Sequence, residues 1–305
     1  MPLFTCEPSL ANVLITGAAG FVGAHTARHF LQQGWEVCGY DLRAANPVAG
    51  MTAIEGDILD RGCLERTITA HKITGIVHTA GLIREPACQA DPESAFRINV
   101  QGTSTVLEVA RAHGLRLTFI STATLYGRDP SLRPCHEDDP VDPVGLYDAT
   151  KHMAETLCLS YHKVYDLDIT AVRTSFVYGP GHGIGLYFVD QARTGQIIKE
   201  ADGADHPCEY TYIKDLARGI FLAHTTRPLQ HRLFNIASGV QRPRHDLIDL
   251  VKKTYPQARI EVGPGISPTG NLRGPCHLDR ARTELGFEPA YTLETGLADW
   301  LRQYT

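Results

Sequence analysis

The sequence lacks the features that mark nucleic-acid-binding, membrane and repeat proteins. Its formal net charge is −5 over 305 residues, so no basic surface for nucleic acid or an anionic membrane is expected. No apolar run is long enough to span a bilayer, and we find no repeat of about 20 to 50 residues. The segment before Asn12 has neither the charged start nor the apolar core of an export signal. We therefore expect a cytoplasmic protein that acts on a small molecule.

The eight cysteines lack the spacing of a metal site or a redox pair. None forms a Cys-x-x-Cys motif or a ligand cluster, and several lie in apolar runs. Free thiols in a reducing compartment are therefore expected, and no metal ion is predicted. With 43% hydrophobic residues, the chain is able to bury one large core or two modest ones.

The most informative stretch runs from Val13 to Gly23, Val-Leu-Ile-Thr-Gly-Ala-Ala-Gly-Phe-Val-Gly. An apolar strand ends there in a turn with three glycines, and the turn opens a helix. Glycines let the backbone approach a pyrophosphate, and a helix N-terminus offers N–H groups to it, although this spacing departs by one residue from the usual dinucleotide fingerprint. The predicted cofactor contacts in this stretch are Gly17, Gly20, Phe21, Val22 and Gly23.

A carboxylate follows the second predicted strand, Trp35–Tyr40, at Asp41. A carboxylate about 20 residues after the glycine turn binds both hydroxyls of an adenosine ribose and repels a 2′-phosphate. We therefore predict NAD as the cofactor, with Leu42 beside Asp41 as a further contact. Two alternatives stay open: Asp41 is a solvated turn residue, or Arg43 pairs with a 2′-phosphate and admits NADP.

Strands and helices alternate through the first half of the chain, which predicts an α/β fold with a doubly wound parallel sheet of the Rossmann type. Asp57 and Ile58 follow the third strand, where an acid and an aliphatic side chain are able to hold an adenine amine and ring. Asp57 is equally a candidate cap for the next helix. The fourth strand, Gly75–His78, runs into three small residues where a cofactor would pass. These are Thr79, Ala80 and Gly81.

Hydroxyl groups and a Tyr-x-x-x-Lys pair follow the fifth strand. Thr122 and Thr124 lie just past its end, and Tyr147 and Lys151, four residues apart, share one face of a predicted helix. An ammonium within about 4–6 Å favours a phenolate, which gives hydride transfer from an alcohol the base that it needs. A second such pair, at Tyr210, lies in a strand-like run and is not favoured.

These motifs resemble the extended short-chain dehydrogenase/reductase superfamily, which holds the NAD-dependent sugar epimerases and dehydratases. They are Thr-Gly-Ala-Ala-Gly-Phe-Val-Gly, His-Thr-Ala-Gly, Ser-Thr-Ala-Thr-Leu-Tyr-Gly, Tyr-Asp-Ala-Thr-Lys and Val-Arg-Thr-Ser-Phe-Val-Tyr-Gly-Pro-Gly. The resemblance implies that Tyr147 is the catalytic base, that Lys151 binds the nicotinamide ribose and that Thr122 is the catalytic hydroxyl. It also implies that Asn99, on a predicted helix from Asp91 to His113, lines the cofactor path together with residues 78–81.

Departures from the family pattern narrow the expected reaction. Dehydratases carry an Asp-Glu pair directly after the catalytic hydroxyl, whereas this chain has Ala123 and Thr124, as 4-epimerases do. Nucleotide-sugar members also carry an Asn and an Arg for the substrate diphosphate, where this chain has Phe176 and Cys208. A thiol does not replace a guanidinium, so we expect a substrate without a nucleoside diphosphate.

The second half of the chain is predicted to supply a smaller α/β substrate-binding domain. We expect residues 1–175 and 211–240 to form the NAD-binding domain, and 176–210 and 241–305 to form the substrate domain. Arg273 is a candidate to bind a phosphate or a carboxylate, or else a surface salt-bridge residue. The predicted substrate contacts are Thr124, His182, Tyr212 and Arg273.

The leading hypothesis is an NAD-dependent oxidoreductase, a homodimer, that acts on a secondary hydroxyl or ketone of a sugar or sugar acid. The alternative is a nucleotide-sugar 4-epimerase, which shares the first half-reaction and returns the hydride to the other face of the ketone. A protein that only senses NAD would leave Tyr147, Lys151 and Thr122 idle, which disfavours that hypothesis.

Overall fold

The computed structural model describes residues 12–43, 48–268 and 271–302, except for the side chains of 182–186. The first part of the chain alternates strands and helices. In chain order these are β1 (Asn12–Thr16), α1 (Phe21–Gln32), β2 (Glu36–Asp41), β3 (Thr52–Glu55), α2 (Arg61–Ala70), β4 (Gly75–His78), α3 (Glu85–Ala90), α4 (Pro92–Phe96), a π-helical turn (Arg97–Gly102), α5 (Thr103–His113) and β5 (Arg116–Ile120).

The second part begins with a short 3-10 turn and the long helix α6. Its elements are the 3-10 turn (Ala123–Tyr126), α6 (Leu146–Tyr165), β6 (Ile169–Arg173), β7 (Phe176–Gly179), β8 (His182–Gly183), α7 (Ile184–Thr194), β9 (Ile197–Glu200), β10 (Pro207–Tyr212), α8 (Ile213–Thr225), β11 (Leu233–Asn235), β12 (Gln241–Pro243), α9 (Arg244–Thr254), β13 (Arg259–Val262), α10 (Asp279–Leu285) and α11 (Leu293–Leu301).

A seven-stranded sheet forms the centre of the fold, in the order β11-β6-β5-β4-β1-β2-β3. Every neighbouring pair in it is parallel. Val13, Leu14 and Ile15 of β1 are fully buried, as expected for a parallel strand covered on both faces. The predicted doubly wound parallel sheet is confirmed.

Chain order reverses on either side of β1, since β2 lies on one side of it and β4 on the other. Ligands of such sheets bind outside the carboxyl ends of the strands at this switch point. The glycine turn and the segments that follow β4 and β5 all start from those ends, so the topology brings the predicted site residues to one edge of the sheet.

Two smaller sheets lie in the second part of the chain. One has the order β12-β10-β7-β8, and the other pairs β13 with β9. The first of them contributes Phe176 and Cys208 to the wall of the cavity described below, and the segment between β13 and α10 contributes Arg273. The division into a cofactor domain and a substrate domain stays a prediction.

The predicted long helix from Asp91 to His113 is interrupted. Asp91 caps α4 by accepting a hydrogen bond from Ser94 N at 3.0 Å, and the π-helical turn then carries Asn99. Hydrophobic periodicity does not reveal such a turn because the apolar face continues through it. π-helical turns are frequent at functional sites, and this one orients Asn99 toward the segment after β4.

Within residues 12–43, 48–268 and 271–302, no helix is both long and apolar enough to cross a membrane. The same residues contain no group of three His, Cys, Asp or Glu side chains arranged to hold a metal ion. Seven cysteines fall among them, and all seven are free thiols.

Candidate active site

The glycine turn between β1 and α1 has the form of a phosphate cradle. Gly17 has φ +71°, and a Cβ there would lie 2.7 Å from the Ala80 nitrogen. A Cβ at Gly23 would overlap the carbonyl oxygen of Gly17, so the glycines let α1 start directly against β1. Among the described side chains none caps α1, and its first turn has no acidic residue. The turn therefore offers backbone N–H groups and the positive end of the helix dipole, which fits a dinucleotide pyrophosphate.

Asp41, at the end of β2, lies against this turn. Its Oδ2 accepts a hydrogen bond from Ala19 N at 3.0 Å, and the residue is half-buried. The carboxylate retains further acceptor positions for two ribose hydroxyls. The next side chain, Leu42, is 62% exposed and open to a ligand.

Asp57 forms a local turn and does not cap α2. Its Oδ1 accepts from Leu59 N at 2.9 Å, whereas Asp60 caps the helix by accepting from Cys63 N at 2.9 Å. The alternative that Asp57 is the helix cap is therefore wrong. Ile58 is buried beside it, and contact of Asp57 and Ile58 with an adenine stays a prediction.

The segment after β4 is tied to β1. Thr79 Oγ1 donates to the Thr16 carbonyl at 2.7 Å, and Ala80 N donates to Thr16 Oγ1 at 3.3 Å. His78 does not line the cofactor path, because it is only 1% exposed and its ring bonds to Thr16 and Thr103. Burial lowers the pKa of His78 to about 3, so it is a neutral core residue.

Asn99 connects the segment after β4 to helix α6 through side-chain hydrogen bonds. Its Oδ1 accepts from Leu82 N at 2.7 Å, and its Nδ2 donates to the Leu82 carbonyl at 3.0 Å and to Thr150 Oγ1 at 2.9 Å. A Cβ at Gly81 would lie 3.0 Å from Asn99 Oδ1. Asn99 thus fixes the segment after β4 against α6 and shapes the cofactor path indirectly.

Tyr147 and Lys151 of α6 and Thr122 at the end of β5 line one cavity, as predicted. Burial raises the pKa of the Tyr147 phenol, and the Thr122 hydroxyl is close enough to lower it. Thr122 Oγ1 lies 2.8 Å from Thr124 Oγ1. A base and a hydroxyl therefore meet at one point of the cavity, which is the arrangement that oxidation of an alcohol requires.

Lys151 is held away from a direct bond to the phenol. Its Nζ donates to the Ile120 carbonyl at 2.5 Å and lies 4.1 Å from the centroid of the Phe119 ring. Burial lowers the pKa of Lys151 to about 8. Burial and the charge of Asp148 raise the pKa of Tyr147, opposite in direction to the lowering expected from the Tyr-x-x-x-Lys spacing. Spacing along a helix did not reveal that a strand carbonyl binds the ammonium.

Glu85 supplies the cap of α6, and the sequence analysis missed it. Its two carboxylate oxygens accept from Leu146 N at 2.9 Å and from Tyr147 N at 2.8 Å. A Cβ at Gly145 would overlap this carboxylate. The helix that carries Tyr147 is therefore positioned from α3, about 60 residues earlier, a distance at which no spacing motif operates.

The cavity has a volume of about 710 Å³ and extends from the glycine turn to the smaller sheets. Buried polar atoms are normally hydrogen-bonded, yet several atoms in its lining have no partner among the described residues. They are Ser121 Oγ, Thr174 Oγ1, His206 Nδ1 and Tyr210 Oη. The lining is thus suited to a ligand with several polar groups.

A model of the NAD dependent epimerase/dehydratase family matches residues 13–237, which is more than half of the chain. The chain belongs to this family. The resemblance to extended short-chain dehydrogenases/reductases, the prediction of an enzyme and the prediction of NAD as its cofactor are confirmed.

The curated relatives of this epimerase/dehydratase family member include nucleotide-sugar epimerases. It is 30% identical to the UDP-glucuronate 4-epimerase of Thermodesulfobacterium geofontis, over 93% of each chain. It is 28% identical to UDP-glucuronate 4-epimerase 4 of Arabidopsis thaliana, over 96% of this chain and 75% of the other. The UDP-glucose 4-epimerase of Thermus thermophilus in complex with NAD has the same fold, with a TM-score of 0.87 at 24% identity, over 96% of this chain and 98% of that one.

The predicted substrate residues of this family member separate into three groups. Thr124 and Arg273 line the cavity. Tyr212 does not belong to the described lining, because its hydroxyl donates to Asp299 Oδ2 at 2.6 Å beneath α11. The side chain of His182 lies outside the described residues.

The lining residues of this family member that the sequence analysis missed include His206, Tyr210 and Arg244. Tyr210 lies on the same face of β10 as Cys208, which the sequence analysis had placed near the substrate, so strand alternation is the signal that could have found it. Arg244 is the first residue of α9, and its Nη2 donates to Glu200 Oε1 at 2.9 Å. This contact joins segments that are distant in the chain, so no local spacing predicts it.

Arg273 is neither a surface residue nor an unpaired cation. It is 5% exposed, and its Nη1 lies 3.2 Å from Glu209 Oε2 and donates to the Gly274 carbonyl at 2.7 Å. The surface salt-bridge alternative is therefore wrong. The guanidinium borders the cavity with part of its charge already balanced by Glu209.

Proposed function

We propose that this chain is an NAD-dependent 4-epimerase of a nucleotide sugar, the alternative in the sequence analysis. The observation that carries the proposal is the meeting of Tyr147, Thr122 and Lys151 in a cavity whose catalytic turn reads Ala123-Thr124 and lacks the Asp-Glu pair of a dehydratase. The relatives named above are 4-epimerases of UDP-sugars, which supports the same reaction.

A second observation supports a substrate with a diphosphate. Cys208 stands where the nucleotide-sugar family pattern has an arginine. Burial raises the pKa of the Cys208 thiol, and Tyr210 and Arg244 of α9 are close enough to lower it. Arg244 and Arg273 both line this part of the cavity. We infer that Arg244 supplies from another element the cation that position 208 lacks, which removes the main argument against a diphosphate.

In the proposed reaction, Tyr147 takes the proton from the substrate hydroxyl, and Thr122 binds the same oxygen while its charge changes. Lys151 holds its ammonium beside them, where it is able to bind the nicotinamide ribose. The glycine turn and Asp41 would bind the pyrophosphate and the adenosine ribose. When bound, NAD supplies the hydride acceptor and then the hydride donor. Tyr147 returns its proton after the ketone has presented its other face.

The test is incubation of the purified protein with UDP-glucose, UDP-glucuronate and dTDP-glucose, followed by proton NMR of the anomeric region. We expect the matching 4-epimer to appear while the absorbance of NADH stays constant. Net NADH formation from free sugars or sugar acids would instead support the dehydrogenase of the leading hypothesis. The Tyr147→Phe variant is the matched control for contaminating epimerase. Homodimer formation and a cytoplasmic location stay predictions.

A further inference from the structure

We propose that Arg84 is a specificity-determining residue that binds a carboxylate on the sugar of the substrate, beside the carbon whose hydroxyl reacts. The proposal rests on the function proposed above and narrows the substrate to a nucleotide sugar acid. Arg84 lines the same cavity as Tyr147 and Thr122. Three observations support the assignment: how the backbone around Arg84 is held, the backbone conformation of Arg84 itself, and the charge of the cavity lining.

The segment that carries Arg84, between β4 and α3, is held on both sides of the arginine. Before it, Leu82 N donates to Asn99 Oδ1 at 2.7 Å, and Asn99 Nδ2 donates to the Leu82 carbonyl at 3.0 Å. After it, the Glu85 carboxylate accepts from Tyr147 N at 2.8 Å. Arg84 is therefore the chain neighbour of a residue bonded to the backbone of the proposed base, and its side chain starts close to the first turn of α6.

Arg84 has an unusual backbone conformation, with φ +75° and ψ 131°. Residues with a Cβ rarely adopt a positive φ, whereas glycine adopts it freely. Such strained residues persist only where their surroundings fix them, and they cluster at sites that bind ligands. The contacts of Leu82 and Glu85 fix the strained residue here. An arginine at a position that suits glycine indicates a role for its side chain, and that side chain lines the cavity.

The cavity lining is cationic. The described residues of the lining contain four Lys or Arg side chains and no Asp or Glu, and the four are Arg84, Lys151, Arg244 and Arg273. Glu85, the acid next to Arg84 in the chain, is not among them, because its carboxylate faces the start of α6. A cleft lined by charge of one sign favours a ligand that carries several charges of the other sign.

The other three cations each have a group assigned to them. Arg244 and Arg273 are inferred to face the substrate diphosphate, and Lys151 lies where it is able to bind the nicotinamide ribose. The cofactor pyrophosphate is bound by N–H groups of the glycine turn. Arg84, which starts near Tyr147, is then suited to an anion beside the reacting hydroxyl.

A hexuronate supplies that anion. Its carboxylate is attached to C5, the ring carbon next to the C4 that is epimerised, so it lies beside the hydroxyl that Tyr147 deprotonates. A planar carboxylate pairs with a guanidinium through two parallel hydrogen bonds, whereas the hydroxymethyl group of a hexose at the same carbon has no charge. Arg84 should therefore favour UDP-glucuronate over UDP-glucose.

The first arm of the test measures the ratio of kcat/KM for UDP-glucuronate to that for UDP-glucose. We expect the wild type to favour UDP-glucuronate by about ten- to a hundredfold, and Arg84→Met to lose this preference through a higher KM for UDP-glucuronate. General damage to the fold lowers both values and leaves the ratio unchanged. Arg66→Met, at an exposed arginine of α2 outside the described lining, is the matched control. The same ratio in the wild type and in Arg84→Met would overturn the proposal.

Two further variants separate the side chain from its strained backbone. Arg84→Gly suits the positive φ and removes the whole side chain, so it should fold and should show the same low ratio as Arg84→Met. Arg84→Lys keeps the charge but loses the planar fork, and its ratio should lie between those of Arg84→Met and the wild type. A wild-type ratio in Arg84→Gly would mean that another residue binds the carboxylate, and the proposal would fail.

NAD titration distinguishes the substrate carboxylate from the cofactor pyrophosphate as the anion that Arg84 binds. We expect Arg84→Met to bind NAD as tightly as the wild type does. A loss of NAD affinity of about tenfold, with the sugar ratio unchanged, would assign Arg84 to the cofactor and overturn the proposal.

A binding arm without turnover keeps this proposal apart from the proposed function. Calorimetry on Tyr147→Phe with NAD bound should give a lower Kd for UDP-glucuronate than for UDP-glucose, and adding Arg84→Met should cancel the difference. If the wild type epimerises neither sugar but these Kd values are found, the proposed function fails and the carboxylate site stands. If the wild type epimerises both sugars with equal kcat/KM, the carboxylate site fails alone.

Discussion

The cofactor side and the substrate side of this cavity are assembled in different ways. On the cofactor side, the glycine turn and Thr79 follow β1 and β4, and Asp41 is the last residue of β2 in the same sheet. Hydrogen bonds from a backbone N–H and from a hydroxyl tie them together. On the substrate side, Phe176, Cys208 and Arg244 come from segments that meet only in the folded chain. Because its contacts are local, the cofactor side tolerates few changes of residue type. On the substrate side, a side chain lost from one element is replaceable by a side chain from another element.

The arginine at the substrate wall illustrates this difference. Position 208 lacks the arginine of the nucleotide-sugar family pattern, and under the function proposed above Arg244 of α9 supplies a cation in its place. A comparable exchange is not open to the cofactor side, because the glycine at position 17 is required by its own backbone angle and by the close approach of Ala80. The predictions below test how far this contrast holds, from the largest expected effect to the smallest.

Tyr147→Phe should have the largest effect, because it removes the base where the two sides meet. Base catalysis contributes about 10²–10⁴-fold, so we expect kcat to fall by at least about a hundredfold while NAD affinity stays nearly unchanged. The measurement is steady-state epimerisation together with NAD binding by fluorescence. Tyr210→Phe is the matched control, with an expected change in KM and little change in kcat. A Tyr147→Phe variant with more than about a tenth of the wild-type kcat would require another base.

Gly17→Ala should disrupt the glycine turn and weaken NAD binding, whereas Gly34→Ala should leave NAD binding intact. Both glycines have positive φ, +71° and +81°, but a Cβ at Gly17 meets the Ala80 backbone, whereas none of the described atoms lies within 4 Å of a Cβ at Gly34. The left-handed backbone costs about 1–2 kcal/mol at either position, and only Gly17→Ala adds the overlap. Urea unfolding and NAD titration would show the difference. Equal losses of NAD affinity in the two variants would contradict the prediction.

Arg244→Gln should weaken substrate binding with little effect on kcat. A guanidinium paired with a diphosphate contributes about 1.5–3 kcal/mol, so we expect KM for a UDP-sugar to rise by about ten- to a hundredfold. Arg242→Gln, two residues earlier, is the control, since both arginines pair with carboxylates but only Arg244 is among the described lining of the cavity. An unchanged KM in Arg244→Gln would mean that no cation replaces the one missing at position 208.

Selectivity for NAD over NADP should be the smallest of these effects. Asp41 accepts from Ala19 N and lies where a 2′-phosphate would be repelled, so the wild type should bind NAD more tightly by about tenfold or more. Asp41→Asn removes the charge but keeps an acceptor, and it should bring the two affinities close together. Titration of both cofactors by protein fluorescence measures this. Equal affinities in the wild type would mean that Arg43 overrides the carboxylate.

The sequence by itself determined the central sheet, the glycine turn, the NAD cofactor and the meeting of Tyr147, Lys151 and Thr122. Each of these depends on contacts within one strand–turn–helix unit or on the periodicity of one element, which a linear pattern records. Tertiary structure alone decided what the side chains contact across elements: the Glu85 cap of α6, the Ile120 carbonyl on Lys151, the burial of Tyr212 beneath α11 and the approach of Arg244 to Cys208. Those contacts join residues far apart in the chain, and their partners follow from the packing of whole elements, for which no local spacing exists.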